Sequence, residues 1–73
     1  MKPMHLDDLG TEFPHGIGRV AKRALAANGF TRYEHLARAS PSELLAIHGI
    51  GPKALRTLAA ELAERGLSFR PPD

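Results

Sequence analysis

The chain has 73 residues, which is enough for one small domain but too few for a deep substrate cavity with its own supporting shell. It has no cysteine, which excludes disulfides, thiolate zinc sites and a thiol nucleophile, and no apolar run long enough for a signal peptide or a membrane helix. The formal net charge of +2 is unevenly spread, because residues 15–38 carry +4, residues 1–14 carry −2 and residues 39–73 carry zero. We therefore expect a complete, soluble, cytoplasmic protein that is not an enzyme and whose partner is anionic, although a solvated face of mixed charge would fit the same distribution.

The N-terminal segment carries weak helix signals. Leu6, Leu9 and Phe13 are spaced for one short helix. Glu12, together with the two aspartates before it, is expected to favour the N-terminus of that helix through the helix dipole. Residues 1–12 are interpreted as an N-terminal segment, residues 13–67 as the main domain and residues 68–73 as a polar C-terminal tail.

An internal repeat organises the rest of the chain. Residues 15–27 align with residues 48–60 at a constant offset of 33, and nine of the thirteen pairs are identical. Helices are predicted over 19–28 and 52–65, ending at the stop signals Gly29 and Gly66. Those glycines are 37 residues apart, so the second copy is longer by four residues, which is about one helical turn.

Two short helices are predicted between the copies, over 32–38 and 41–47. Each begins at a capping-box pattern, with Thr31 and Ser40 as the N-caps. No segment alternates as a strand does, so the fold is expected to be all-α, with five short helices in a compact bundle. The predicted core consists of Leu9, Phe13, Ile17, Val20, Ala24, Leu25, Phe30, Leu36, Leu44, Leu45, Ile47, Ile50, Leu55, Leu58 and Leu62.

Each copy opens with the string Gly-Ile-Gly between one helix and the next. Glycine permits a turn with positive φ, and the central isoleucine is expected to point inward, so that the amides beyond it face outward at a helix N-terminus. Such a terminus is a ready phosphate site, and basic residues follow within one or two turns. The predicted phosphate-binding residues are Gly16, Ile17, Gly18, Arg19, Lys22, Arg23, Gly49, Ile50, Gly51, Lys53 and Arg56.

Residues 13–18 (FPHGIG) and 47–53 (IHGIGPK) resemble the hairpins of the tandem helix-hairpin-helix family, and the resemblance extends over 13–67. It implies a DNA-binding module, without a cofactor, whose hairpin amides contact phosphates on the minor-groove side independently of base sequence. Some family members also hold a monovalent cation on hairpin carbonyls. The family often has alanine four residues after the second glycine, where this sequence has Lys22 and Leu55, with Ala21 and Ala54 one residue earlier.

The chain is also similar, notably over 62–67, to the C-terminal domain of the bacterial RNA polymerase α subunit. That resemblance implies an alternative function as a protein–protein interaction adaptor. The expected partners are therefore DNA, duplex or branched, and a larger DNA-processing or transcription complex, but no membrane. Single-stranded DNA and RNA remain open as targets.

Simpler interpretations stand beside these. The glycines could be ordinary helix-connecting turns. His15 and His48 precede the hairpins at equivalent positions, but neither has a second ligand at metal-binding spacing, so no metal is expected. Phe30 and Tyr33 could stack on bases, although the core is the better place for Phe30. A base-excision glycosylase, which also uses this hairpin, needs a catalytic residue and a base pocket for which the chain has no room.

Overall fold

The computed structural model describes residues 10–71, and within that range it is all-helical, as predicted. A 3₁₀ turn at His15–Ile17 precedes four α-helices in this part of the chain: α1 (Gly18–Ala27), α2 (Tyr33–Leu36), α3 (Pro41–Leu45) and α4 (Pro52–Glu64). The predicted N-terminal helix falls mainly on residues 1–9, which lie outside the described residues, and residues 11–14 form no helix. No helix of residues 10–71 is both long and apolar enough to cross a membrane.

The two long helices end in the same way, as the glycine signals predicted. Gly29 has φ 86° and Gly66 has φ 73°, which are left-handed conformations that glycine adopts without strain. The residue after each glycine donates its N–H to the carbonyl five residues back, at 2.8 Å in both cases. This is the Schellman arrangement, which satisfies carbonyls that a helix end would otherwise leave unpaired.

The start of α2 differs from the prediction. The capping box at Thr31 is not formed, because Arg32 is the N-cap and the helix begins at Tyr33. The Tyr33 N–H donates to Glu12 Oε1 at 2.6 Å, and the N–H groups of Thr31 and Arg32 both donate to His35 Nδ1 at 3.2 Å. Glu12 therefore caps α2 from 21 residues away.

The start of α3 follows the prediction. Ser40 is the N-cap, and its side-chain oxygen accepts the N–H of Glu43 at 3.3 Å. Pro41 occupies the first helical position, where its missing N–H is not needed. Both short helices end earlier than predicted, α2 at Leu36 and α3 at Leu45.

The buried core joins residues of all four helices and differs from the predicted one at a few positions. Val20 is 71% exposed and Leu45 is 46% exposed, so their assignment to the core was wrong, and Leu9 lies outside the described residues. The inward face of α1 is centred on Ala21 and Leu25, which are four residues apart and so lie one above the other. The buried apolar residues are Phe13, Ala21, Leu25, Tyr33, Leu36, Ala39, Leu44, Ile50, Ala54, Leu55, Leu58 and Leu62.

Tyr33 is the aromatic centre of this core. Its ring meets that of Phe13 edge to face, with centroids 5.3 Å apart, and the guanidinium carbon of Arg65 lies 4.0 Å from its centroid. Burial raises the pKa of the Tyr33 hydroxyl above its usual value of 10.0, although the nearby Arg65 acts in the opposite direction. Tyr33 therefore packs inside the domain and is not a surface for stacking bases.

Residues on either side of 13–67 are attached to the domain. Glu12 N–H donates to Thr31 O at 3.0 Å. At the other end, Phe69 packs against the core, Arg70 N–H donates to Ala39 O at 2.9 Å, and the Arg70 side chain pairs with Glu43. The segment after α4 thus runs back along the α2–α3 connection.

Candidate functional site

The two Gly-Ile-Gly hairpins lie side by side and line one surface cavity of about 340 Å³. We call residues 15–18 the first hairpin and residues 48–51 the second hairpin. Several lining residues are pairs from the two copies, related by the offset of 33: Gly16 and Gly49, Gly18 and Gly51, Ala21 and Ala54. His15 and Ile17 also line the cavity, as does Lys53 of α4. The structure therefore brings together hairpins that are 33 residues apart in sequence.

Each hairpin packs against the long helix of the other copy. A Cβ atom added at Gly16 would lie 3.9 Å from Thr57 Cγ2 of α4, and one added at Gly49 would lie 3.3 Å from Ala24 Cβ of α1. Ala24 and Thr57 are equivalent positions of the repeat. This reciprocal packing relates the two copies by an approximate twofold arrangement and holds the hairpins beside each other.

The two hairpins nevertheless differ in backbone conformation. In the first hairpin, it is the second glycine, Gly18, that has positive φ, at 86°. In the second hairpin, it is the first glycine, Gly49, with φ 100°, whereas Gly51 is extended, with φ −111° and ψ 173°. Identical sequences thus turn in two ways: the first hairpin follows the extended residue Pro14, and the second follows α3.

Some hairpin amides already have partners inside the protein. The Ile17 N–H donates to Pro14 O at 3.4 Å, and the Ile50 N–H donates to Ile47 O at 3.1 Å. Both isoleucines point inward, as predicted, since Ile50 is buried and Ile17 packs against the core. The Gly18 N–H also closes a turn, by donating to His15 O. These three N–H groups stabilise the hairpins themselves.

The donors that point out of α4 belong to its first turn. Pro52 has no N–H, and the Leu55 N–H already bonds to Gly51 O at 3.2 Å. Helix geometry therefore leaves the amides of Lys53 and Ala54 directed out of the helix end, where both residues line the cavity. α1 begins one repeat position earlier, at Gly18, so helix geometry places the Ala21 N–H in a bond within the helix and leaves the Val20 N–H directed out of the helix end.

Four of the predicted basic residues are exposed near the hairpins, namely Arg19 and Arg23 on α1, and Lys53 and Arg56 on α4. Arg23 and Arg56 are equivalent positions of the repeat. Within residues 10–71, no ion pair involves Arg23, Lys53 or Arg56. These cations are therefore available to an external anion.

Lys22 is the exception among the predicted cations. Only 4% of it is exposed, because it lies on the inward face of α1 with Ala21 and Leu25. The structure does not bring its side chain to the surface that carries Arg19 and Arg23. Counting basic residues in the sequence favoured the first copy, whereas counting exposed ones makes the two copies equal.

The charge on α1 and α4 opposes the helix dipole. Neither helix has an acidic residue in its first turn or a basic residue in its last turn. Instead, Arg19 and Lys53 stand close to the positive helix ends. Each such cation at an exposed helix N-terminus is unfavourable by about 0.3–1 kcal/mol. Lys53, which is in no ion pair of residues 10–71, therefore lowers stability at the start of α4.

Sequence reasoning missed the residues that hold the hairpins together. The contacts of Ala24 and Thr57 with the opposite hairpin, and the position of Val20 beside Gly49, were not predicted. The repeat identifies Ala24 and Thr57 as equivalent positions, but not their contacts with the opposite hairpin. His15 lines the cavity, whereas its counterpart His48 is exposed but does not.

Comparisons with known proteins agree with this arrangement. A family model described as a SAM-like helix-hairpin-helix tandem matches residues 15–64, which include both hairpins and all four α-helices of the described region. A stretch of 38 residues is 53% identical to the ATP-dependent DNA helicase Hel308 of Caldivirga maquilingensis. That alignment covers 52% of this chain and 5% of the helicase, so the chain corresponds to a small part of that protein. No solved structure matches the chain.

Proposed function

We propose that this chain, because it belongs to the SAM-like helix-hairpin-helix tandem family, is a non-catalytic module that binds the sugar-phosphate backbone of DNA independently of base sequence. The observation that carries the proposal is the pairing of the two hairpins around one cavity, with first-turn amides and unpaired cations beside them. Amides and cations of this kind bind phosphate oxygens, which position a nucleic acid but carry no sequence information.

The contact that we propose has two parts. The amide of Val20 in α1, with those of Lys53 and Ala54 in α4, provides fixed donors at the two helix ends. The exposed cations Arg23, Lys53 and Arg56 follow the hairpins in sequence and would release counterions from the DNA by neutralising its phosphates. We propose that the two donor sets, which lie side by side, meet the phosphates from the minor-groove side of the DNA. Lys22 has no part in the contact, since it is buried.

The relative supports DNA as the partner. That protein is an ATP-dependent DNA helicase, and the matched stretch makes up 5% of its length. We therefore propose that this chain contributes nucleic-acid contact beside larger DNA-processing machinery and does not itself act as a helicase.

A fluorescence anisotropy titration tests the proposal. Labelled duplex, junction and single-stranded DNA and RNA are titrated with the whole chain at several salt concentrations. We expect a dissociation constant on the order of 10⁻⁴ to 10⁻⁶ M at physiological salt. Neutralisation of three phosphates by Arg23, Lys53 and Arg56 predicts a slope of log affinity against log salt of about −2.7 on duplex.

Variants locate the surface. Arg56→Ala should weaken binding and make the slope shallower by about 0.9, the value for one phosphate contact. Arg38→Ala is the matched control, because Arg38 is also exposed and is in no ion pair of residues 10–71, but it lies after α2 and does not line the cavity. The triple variant Arg23→Ala, Lys53→Ala, Arg56→Ala should lose about 2.7 units of slope.

Unchanged binding by the triple variant, or no binding by the unaltered chain at low salt, would reject the proposal. The adaptor alternative has its own signature. A pulldown that returns one stoichiometric protein after nuclease treatment, from a chain that binds no polynucleotide, would support that alternative.

A further inference from the structure

Val20 is the most exposed large apolar side chain of residues 10–71, at 71%, ahead of Leu45 at 46% and Leu67 at 38%. A single exposed apolar residue is ordinary on a protein surface. The position of Val20 is not ordinary, because it stands in the first turn of α1, directly after the first hairpin, and its counterpart in the repeat is Lys53. The chain thus carries a methyl-bearing side chain in one copy where the other copy carries a cation.

Val20 also contacts the second hairpin. A Cβ added at Gly49 would lie 3.3 Å from Val20 Cγ1 and 3.7 Å from Val20 O. One methyl group is therefore seated against the backbone of the second hairpin, while most of the side chain faces solvent. Arg19 and Arg23 lie nearby on the same helix and are both exposed. The apolar surface of Val20 is placed between cations and hairpin backbone, at the point where the two copies meet.

We propose, on the basis of the proposed function, that Val20 packs against the sugars of the bound strand and favours deoxyribose over ribose. Between two phosphates of a strand, the group nearest to a phosphate-binding surface is the sugar, whose carbon atoms are apolar. The nearby cations favour an anionic polymer at this position, and the methyl groups of Val20 would pack against the apolar carbon atoms of its sugars. A ribose 2′-hydroxyl held against those methyl groups would lose hydration without gaining a hydrogen-bond partner.

The test compares DNA and RNA of the same sequence, as single strands and as duplexes, with the unaltered chain and with Val20→Thr. Threonine keeps the shape of valine but replaces one methyl group with a hydroxyl. We expect Val20→Thr to bind DNA about fourfold more weakly, the factor for one buried methylene-sized group, and to bind RNA no more weakly than the unaltered chain. The DNA-to-RNA affinity ratio should fall accordingly, with no change in the salt slope, because no charge is altered.

Leu45→Thr is the matched control, since Leu45 is an exposed apolar residue on α3, outside the cavity, and should change neither affinity nor ratio. Val20→Ala is a second variant and should weaken DNA binding in the same direction. Thermal unfolding confirms that each variant is folded, as expected for a residue that is 71% exposed.

The outcomes separate this inference from the function on which it rests. If the unaltered chain binds DNA but Val20→Thr leaves the DNA-to-RNA ratio unchanged, the role of Val20 is refuted and the DNA-binding proposal stands. The inference is also refuted if the unaltered chain binds DNA and RNA equally well. If the unaltered chain binds neither polymer in dilute buffer, the proposed function fails and the inference fails with it.

Discussion

The glycines of the two hairpins provide the sharpest test of the structure, because they are identical in sequence but not in conformation. Gly49→Ala would place a methyl group 3.3 Å from two carbon atoms of α1 and force a side chain onto a backbone with φ 100°. Overpacking costs about 1–3 kcal/mol, and a non-glycine residue at such φ costs about 1–3 kcal/mol, so the free energy of unfolding should fall by roughly 2–6 kcal/mol. That is a large part of the stability of a small domain, about 5–15 kcal/mol.

The repeat supplies the controls. Gly16→Ala meets one side-chain atom at 3.9 Å, an ordinary contact without positive φ, and should change stability by no more than about 0.5 kcal/mol. At the second glycines the order reverses. Gly18→Ala should cost about 1–3 kcal/mol, because φ 86° with ψ 158° is a region that essentially only glycine adopts, whereas Gly51→Ala, with open space and φ −111°, should be tolerated.

Urea and thermal unfolding, followed by circular dichroism, measure all four variants. Each kcal/mol corresponds to a melting shift of about 4–8 °C in a domain of this size. The expected order of destabilisation is Gly49→Ala, then Gly18→Ala, with Gly16→Ala and Gly51→Ala close to the unaltered chain. Equal losses of stability from Gly16→Ala and Gly49→Ala would refute the reasoning, because the two hairpins would then have the same conformation as well as the same sequence.

Three further predictions concern the rest of the fold. Glu12→Ala should lower the free energy of unfolding, measured by urea titration, by about 0.5–2 kcal/mol, because it removes the acceptor 2.6 Å from the Tyr33 N–H. The control Glu64→Ala, at an exposed site of α4, should have little effect in the same titration. Burial raises the pKa of Tyr33, so on raising the pH the unfolded chain loses the hydroxyl proton before the folded chain does. The contribution of Tyr33 to stability should therefore be complete below pH about 10 and fall as the pH rises further. Urea midpoints measured from pH 9 to 11 should fall more steeply for the unaltered chain than for Tyr33→Phe. Phe69→Ala should cost about 1–2 kcal/mol, since Phe69 packs against the core from beyond α4, and an unchanged unfolding midpoint would mean that this segment adds no stability.

Features with local causes could be predicted from the sequence. The Schellman ends at Gly29 and Gly66 and the cap at Ser40 depend on residues within one turn of each other, and all three were confirmed. The repeat and its hairpins belong to the same class, since a string of four residues specifies a turn and the inward isoleucine. Membership of the tandem helix-hairpin-helix family followed from these patterns and was confirmed by the family match over residues 15–64.

Features with distant causes could not be predicted. Glu12 was assigned to its own segment, but the acceptor that α2 needed was supplied across 21 residues. Val20 and Lys22 were assigned to the wrong faces of α1, because an apolar stripe in sequence does not reveal how far a helix is rotated against its neighbours. The exposed cations of the site could be counted only after that rotation was known.

The sequence by itself determined the elements of this protein: four helices between residues 15 and 64, their stop signals, and two hairpins of the same composition. The tertiary structure decided which glycine of each hairpin takes positive φ, which cations reach solvent and that Val20 remains exposed. The physical reason is range, because caps and turns are set by hydrogen bonds within a few residues, whereas burial and hairpin geometry depend on contacts between copies that lie 33 residues apart.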